Sequence, residues 1–136
     1  MVPTLRNLAL PVAAGLAVML TSCGEQDTHE RIMTDTLNLL EELATTLEGA
    51  SNKESARSAS EQILNLAGKF EEIADRSDAV GKPTTEIKKA LTESHGDRRN
   101  RVLARIGTAS ARVKTLNDER LSDSLRKLGE IWSALP

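Results

Sequence analysis

Ala56, Ala59, Ile63, Leu66, Phe70 and Ile73 recur at alternating intervals of three and four residues, without a miss over six positions. That rhythm belongs to a helix that packs along one seam against a neighbour. A strand would need alternation every second residue. The first two seam positions are Ala, so a partner helix can approach closely at that end. The rest of the chain agrees. Two aromatic residues, Phe70 and Trp132, no Tyr, 8 Gly and 4 Pro leave little material for a sheet. Abundant Leu, Ala, Glu, Lys and Arg favour helix, and 136 residues bound the chain to one domain.

Three further segments read as helix. Ahead of the seam, Ile32, Met33, Leu37, Leu39, Leu40, Leu43, Ala44 and Leu47 form a stripe broad enough to face two neighbours. Asp27 or Thr28 serves as its N-cap, and Gly49 is placed as the residue that ends it. Ser51-Asn52-Lys53-Glu54 fits a capping box opening the seam helix, and Gly81-Lys82-Pro83 stops it. The third segment opens with Pro83 in its first turn and carries Ile87, Leu91, Val102, Ile106, Ala109, Val113 and Leu116. The apolar phase is nearly the same on both sides of Gly96, which favours one continuous helix through the polar stretch Glu93–Asp97. After Leu116 the phase rotates by roughly 100°, and Leu121, Leu125, Leu128, Trp132 and Leu135 form their own stripe, with Asn117-Asp118 as the break. The expected fold is all-α: an up-and-down helical bundle of three long helices plus a shorter C-terminal helix, after an N-terminal signal peptide.

The N-terminus has the layout of a secretory signal. Arg6 and the free amine precede thirteen apolar residues, Leu8 to Leu20. That run is too short for a membrane-spanning helix, which needs about 20 residues. Leu20-Thr21-Ser22-Cys23 then resembles the lipobox of bacterial lipoproteins. The resemblance implies cleavage before Cys23, diacylglyceryl (typically palmitate-bearing) modification of its sulfur, and anchoring to a membrane. The domain reading follows: 1–22 signal peptide, 23–27 lipidated Cys and short tether, 28–136 helical bundle. In the bacterial sorting rule, Asp after the Cys retains a lipoprotein at the inner membrane. Gly24 stands there, so the periplasmic face of the outer membrane is implied. The body is similar to small, functionally unassigned helical lipoproteins in which an Ala-containing helix leads into a Gly-x-Pro turn, here Ser55-Ala56 and Gly81-Lys82-Pro83.

Chemistry has thin material. One Cys forms no internal disulfide, and His29 and His95 are the only imidazoles. They read as solvated surface groups. Neither completes the Glu-x-x-His of a di-iron bundle. No Cys-x-x-Cys-His, Gly-x-Ser-x-Gly or glycine-rich phosphate loop occurs. The expectation is no enzyme, no cofactor, no metal, no nucleic acid and no small-molecule substrate.

Charge says more. The formal net charge of −2 hides a balance of −8 over residues 24–86, fourteen acidic against six basic. Residues 87–136 carry six acidic against eleven basic, a balance of +5. Arg98, Arg101, Arg105 and Arg112 fall within about 60° of one another beside the third stripe. They either pair across the bundle with carboxylates flanking the other stripes, such as Asp35, Glu42, Glu71 and Asp78, or bind anionic lipid or another polyanion. A second candidate surface is the last stripe, where Leu121, Leu125 and Trp132 line a groove for a partner's amphipathic helix. That would resemble the pilotins, helical lipoproteins that bind a secretin's tail, although their disulfides have no counterpart here. The leading expectation is a lipid-anchored envelope protein with a structural or protein-interaction role.

Overall fold

Four α-helices follow one another in the computed structural model, which describes residues 26–133. They are α1 (His29–Glu48), α2 (Lys53–Val80), α3 (Thr85–Lys114) and α4 (Glu119–Ser133), of 20, 28, 30 and 15 residues. The signal segment, Cys23, Leu135 and Pro136 lie outside the described residues. No helix among those described is long and apolar enough to cross a membrane.

Each boundary has a local cause. Thr28, not Asp27, caps α1, its side chain accepting from Arg31 N at 3.1 Å. Gly49 ends α1 with φ −80°, in the right-handed region, so glycine's special freedom is not used there. The capping box that opens α2 lies one residue beyond the expected Ser51–Glu54. Asn52 Oδ1 accepts from Ser55 N at 2.9 Å, and Ser55 Oγ accepts in return from Asn52 N at 3.0 Å. Asn is a strong N-cap, and Ser55 is near enough to close the box with a hydroxyl. Gly81 ends α2 at φ +89°, a backbone state that L side chains rarely adopt. Pro83 lies outside α3 rather than in its first turn, because Thr84 takes the N-cap and accepts from Ile87 N at 3.2 Å. Helix α3 is continuous through Gly96. Asn117, at φ 50°, turns the chain into α4, where Asp118 Oδ1 accepts from Leu121 N at 2.9 Å.

The described residues form a four-helix bundle whose packed pairs are α1–α2, α1–α3 and α2–α4. Consecutive helices α2–α3 and α3–α4 are not packed pairs, although only four residues join them. Helices α1 and α2 run antiparallel, with Thr46 bonded to Gln62 near one end and His29 to Gly81 at the other. Helix α3 runs with α1, and α4 runs with α2.

Burial follows the stripes. All six seam positions of α2 are 5% exposed or less, and Leu37, Leu40, Leu43, Ala44 and Leu47 of α1 join them in one core with Val102, Ala109 and Val113 of α3 and Leu121 and Leu128 of α4. Burying a side chain the size of Phe70 or Ile63 contributes about 1.5–3 kcal/mol. The two-sided stripe of α1 lets it serve α2 and α3 together, while α2 in turn packs between α1 and α4.

Candidate functional site

The two candidate surfaces are the arginine face of α3 and the apolar stripe of α4. Of the arginines, Arg98 is held by α1. Its Nε and Nη2 donate to Glu41 Oε1 and Oε2 at 2.8 and 2.9 Å, and Nη2 also donates to Asn38 Oδ1 at 2.7 Å. Two turns on, Arg105 forks onto Glu48 at 3.2 and 2.6 Å. Such bidentate pairs match the planar guanidinium to a carboxylate. Arg101 is exposed and acts on Glu41 through its charge. The arginine hydrogen bonds hold the Glu41 and Glu48 carboxyls below the usual carboxylate range, against the opposing effect of desolvation.

The acidic partners differ from those expected. Asp35 and Glu42 lie on the α2 side of α1, where they meet Arg76 at 2.8 Å and Lys69 at 3.5 Å. Glu41 and Glu48 lie on the α3 side. Glu71 and Asp78 of α2 are exposed and have no ion pair among the described residues.

Arg112 does something different. Its Nη2 donates to the carbonyls of Leu47 and Glu48 at 3.1 and 2.7 Å. Those are terminal acceptors of α1, a helix with no basic residue in its own last turn. His29 plays the same part for α2, which also lacks a basic residue there. Its Nε2 lies 3.0 Å from Gly81 O and donates in the tautomer protonated at that nitrogen. Two helix C-termini are thus completed by side chains from neighbouring helices.

The histidines are not free surface groups. His95 Nε2 lies 2.6 Å from Glu30 Oε1, with the His95 side chain only 15% exposed. His29 and Glu30 are adjacent, so the first turn of α1 reaches both α2 and α3. Among the described residues no group of His, Cys, Asp and Glu is arranged to hold a metal ion.

A further cluster was missed in the sequence. Arg76 Nε and Nη2 donate to Asp27 Oδ2 and Oδ1 at 2.8 and 2.6 Å, and Nη2 also reaches Asp35 Oδ2 at 2.8 Å. The Arg76 hydrogen bonds pull Asp27 below its ordinary value, and the two carboxylates push Arg76 up. The available signal was Arg76 as the one basic residue among the acids of the stretch 70–80, three residues after the seam position Ile73.

The α4 residues divide. Leu121 is 2% exposed and belongs to the core, Leu125 is half-buried against it, and Trp132 is 38% exposed. The Trp132 ring meets Phe70 edge-on, centroids 5.7 Å apart at 89°. Farther along the same two helices Ser60 and Ser124, both buried, bond to one another and to the Arg120 carbonyl, at 3.1 and 2.9 Å for the latter. An open depression of about 500 Å³ on the α1–α3 side is lined by Glu48, Ala104, Arg105, Thr108, Ala109 and Arg112. Its two arginines are the ones already bonded to α1. Comparison with protein families, with curated proteins and with solved structures finds no match to this chain.

Proposed function

We propose that this is a lipid-anchored envelope protein with a non-enzymatic, structural or protein-interaction role, exported behind residues 1–22 and acylated at Cys23. The observation that carries the reading is the run Leu20-Thr21-Ser22-Cys23 behind a thirteen-residue apolar segment. In this reading residues 23–27 are the tether and the remainder is one bundle of three long helices and a shorter fourth in up-and-down order. The helix lengths and directions given above support that order. Gly24 favours the periplasmic face of the outer membrane. The non-enzymatic part draws support from the imidazoles, which are engaged in helix-to-helix bonds.

The test is metabolic labelling with an alkyne-bearing palmitate. The wild-type protein takes up label and fractionates with membranes, whereas Cys23→Ser takes up none and is released. Equal membrane association and labelling of the two proteins would overturn the reading. A second reading, docking of a partner helix beside α4, has one observation in its favour, the exposure of Trp132.

A further inference from the structure

Three of the four arginines of the α3 face, Arg98, Arg105 and Arg112, have their guanidinium groups turned onto α1, so a cationic surface for an anionic partner is better sought elsewhere. We propose that the α2–α3 corner and the first turns of α3, with Lys82, Ile87, Lys88 and Lys89, form the face that docks on anionic phospholipid headgroups. The proposal rests on the reading of Cys23 as the acylated residue.

Three observations place that face at the lipid. The first is the attachment point. Only Gly24, Glu25 and Gln26 separate Cys23 from Asp27, and Asp27 is clamped to Arg76. Four residue steps span at most about 14 Å, so the end of the bundle that holds Asp27 stays next to the membrane.

The second is what stands at that end. The His29–Gly81 bond brings the α2–α3 corner beside the first residue of α1. Helix α3 runs with α1, and the bonds of Arg98 to Glu41, Arg105 to Glu48 and His95 to Glu30 set its register on α1 at 57 to 65 residues. The start of α1 is therefore level with the stretch 86–94 of α3. The tip of the bundle at the tether end is made in part by this corner and these turns.

The third is the chemistry of the tip. Lys82, Lys88 and Lys89 are exposed, and none has an ion pair among the described residues. Ile87, between them in sequence, is 36% exposed and stands outside the core cluster. Residues 82–92 hold three lysines against one acid, Glu86, within a bundle whose residues 24–86 carry net −8. Ammonium groups on flexible stems around an exposed aliphatic side chain suit a headgroup layer. The cations meet phosphates while the aliphatic group enters the boundary below them.

The acylated full-length protein in vesicles tests this. The vesicles contain about 30% phosphatidylglycerol and carry brominated acyl chains, which quench tryptophan on contact. One protein is wild type, whose single Trp132 lies on α4. The other carries Ile87→Trp with Trp132→Phe. The expected result is emission at position 87 reduced about twofold or more and Trp132 left bright. Replacing Lys82, Lys88 and Lys89 together by Gln, or using vesicles without phosphatidylglycerol, is expected to relieve the quenching.

A second measurement uses the unaltered protein. Amine acylation of Lys88 and Lys89 should slow several-fold in vesicles relative to detergent, with Lys114 and Lys127 unaffected. Vesicle-bound, acylated protein with position 87 unquenched and all lysines equally reactive would overturn the docking face and leave the anchor standing. Protein that carries no acyl chain and does not float with vesicles would overturn the anchor reading and remove the basis of the docking face with it.

Discussion

Asp27, just ahead of α1, and Glu41 and Glu48 within it owe their lowered pKa chiefly to an arginine on α2 or α3. A carboxylate whose folded value lies below its unfolded one contributes stability that is complete above the unfolded value and is lost as pH falls through the folded one. Thermal melts should therefore be nearly flat between pH 7 and about 5 and fall below about pH 4. Arg98→Ala should lower stability at neutral pH by less than about 1 kcal/mol, since the pair is partly exposed. It should also flatten the acid limb, because Glu41 then loses the largest of the influences that hold it down. An unchanged acid limb would show that Glu41 is not coupled to folding.

These partners were only half legible in the sequence. The arginines share a helical face by spacing alone, and that much could be read. Whether Asp35 and Glu42 or Glu41 and Glu48 meet them depends on which side of α1 receives α3, and charge spacing does not encode that. The histidine contacts, 52 and 65 residues apart in sequence, carry no local signal at all.

At the scale of single helices, α2 and α3 differ in how they hold themselves. The α2 seam is continuous and deeply buried. Helix α3 buries only Leu91, Val102, Ala109 and Val113 along 30 residues, so intrinsic propensity matters more there. Gly107 sits in its interior, exposed, and a Cβ at that position meets nothing within 4 Å. Gly107→Ala should raise stability by about 0.5–1 kcal/mol in denaturant melts. No gain, or a loss, would mean that the glycine is needed for something other than space.

The element boundaries show where local reading succeeds. Gly81 and Asp118 act as their residue types suggest. The box at Asn52 and Ser55 was displaced because Ser51 and Asn52 are both competent caps, and choosing between them takes a geometry that one residue of sequence shift does not settle. Pro83 was misplaced for a similar reason, with Thr84 available as the cap.

For the whole molecule, the pairing α1–α2, α1–α3, α2–α4 was not readable from the expected up-and-down order alone. The width of the α1 stripe was the better guide. Helix α4 is fixed to α2 by the Phe70–Trp132 contact and by the buried pair Ser60–Ser124, which tests how far polar register matters to the assembly. Ser60→Ala alone removes one partner of a buried hydroxyl, though Ser124 keeps its bond to Arg120 O. The expected cost is about 1 kcal/mol or somewhat more. Replacing both serines by Ala should cost less than twice the single change, since no hydroxyl is then left half-satisfied. Additive losses in a double-mutant cycle would show that the pair is not a unit.

The clamp of Arg76 on Asp27 also has a mechanical side. A pull on the segment before Asp27 does not act on α1 alone. The guanidinium passes it to α2 as well, along the length of an antiparallel pair, so the load arrives as shear shared by two helices rather than as peeling of the first turn. The residues that would be drawn away first are thereby held by a second helix with a continuous buried seam of its own.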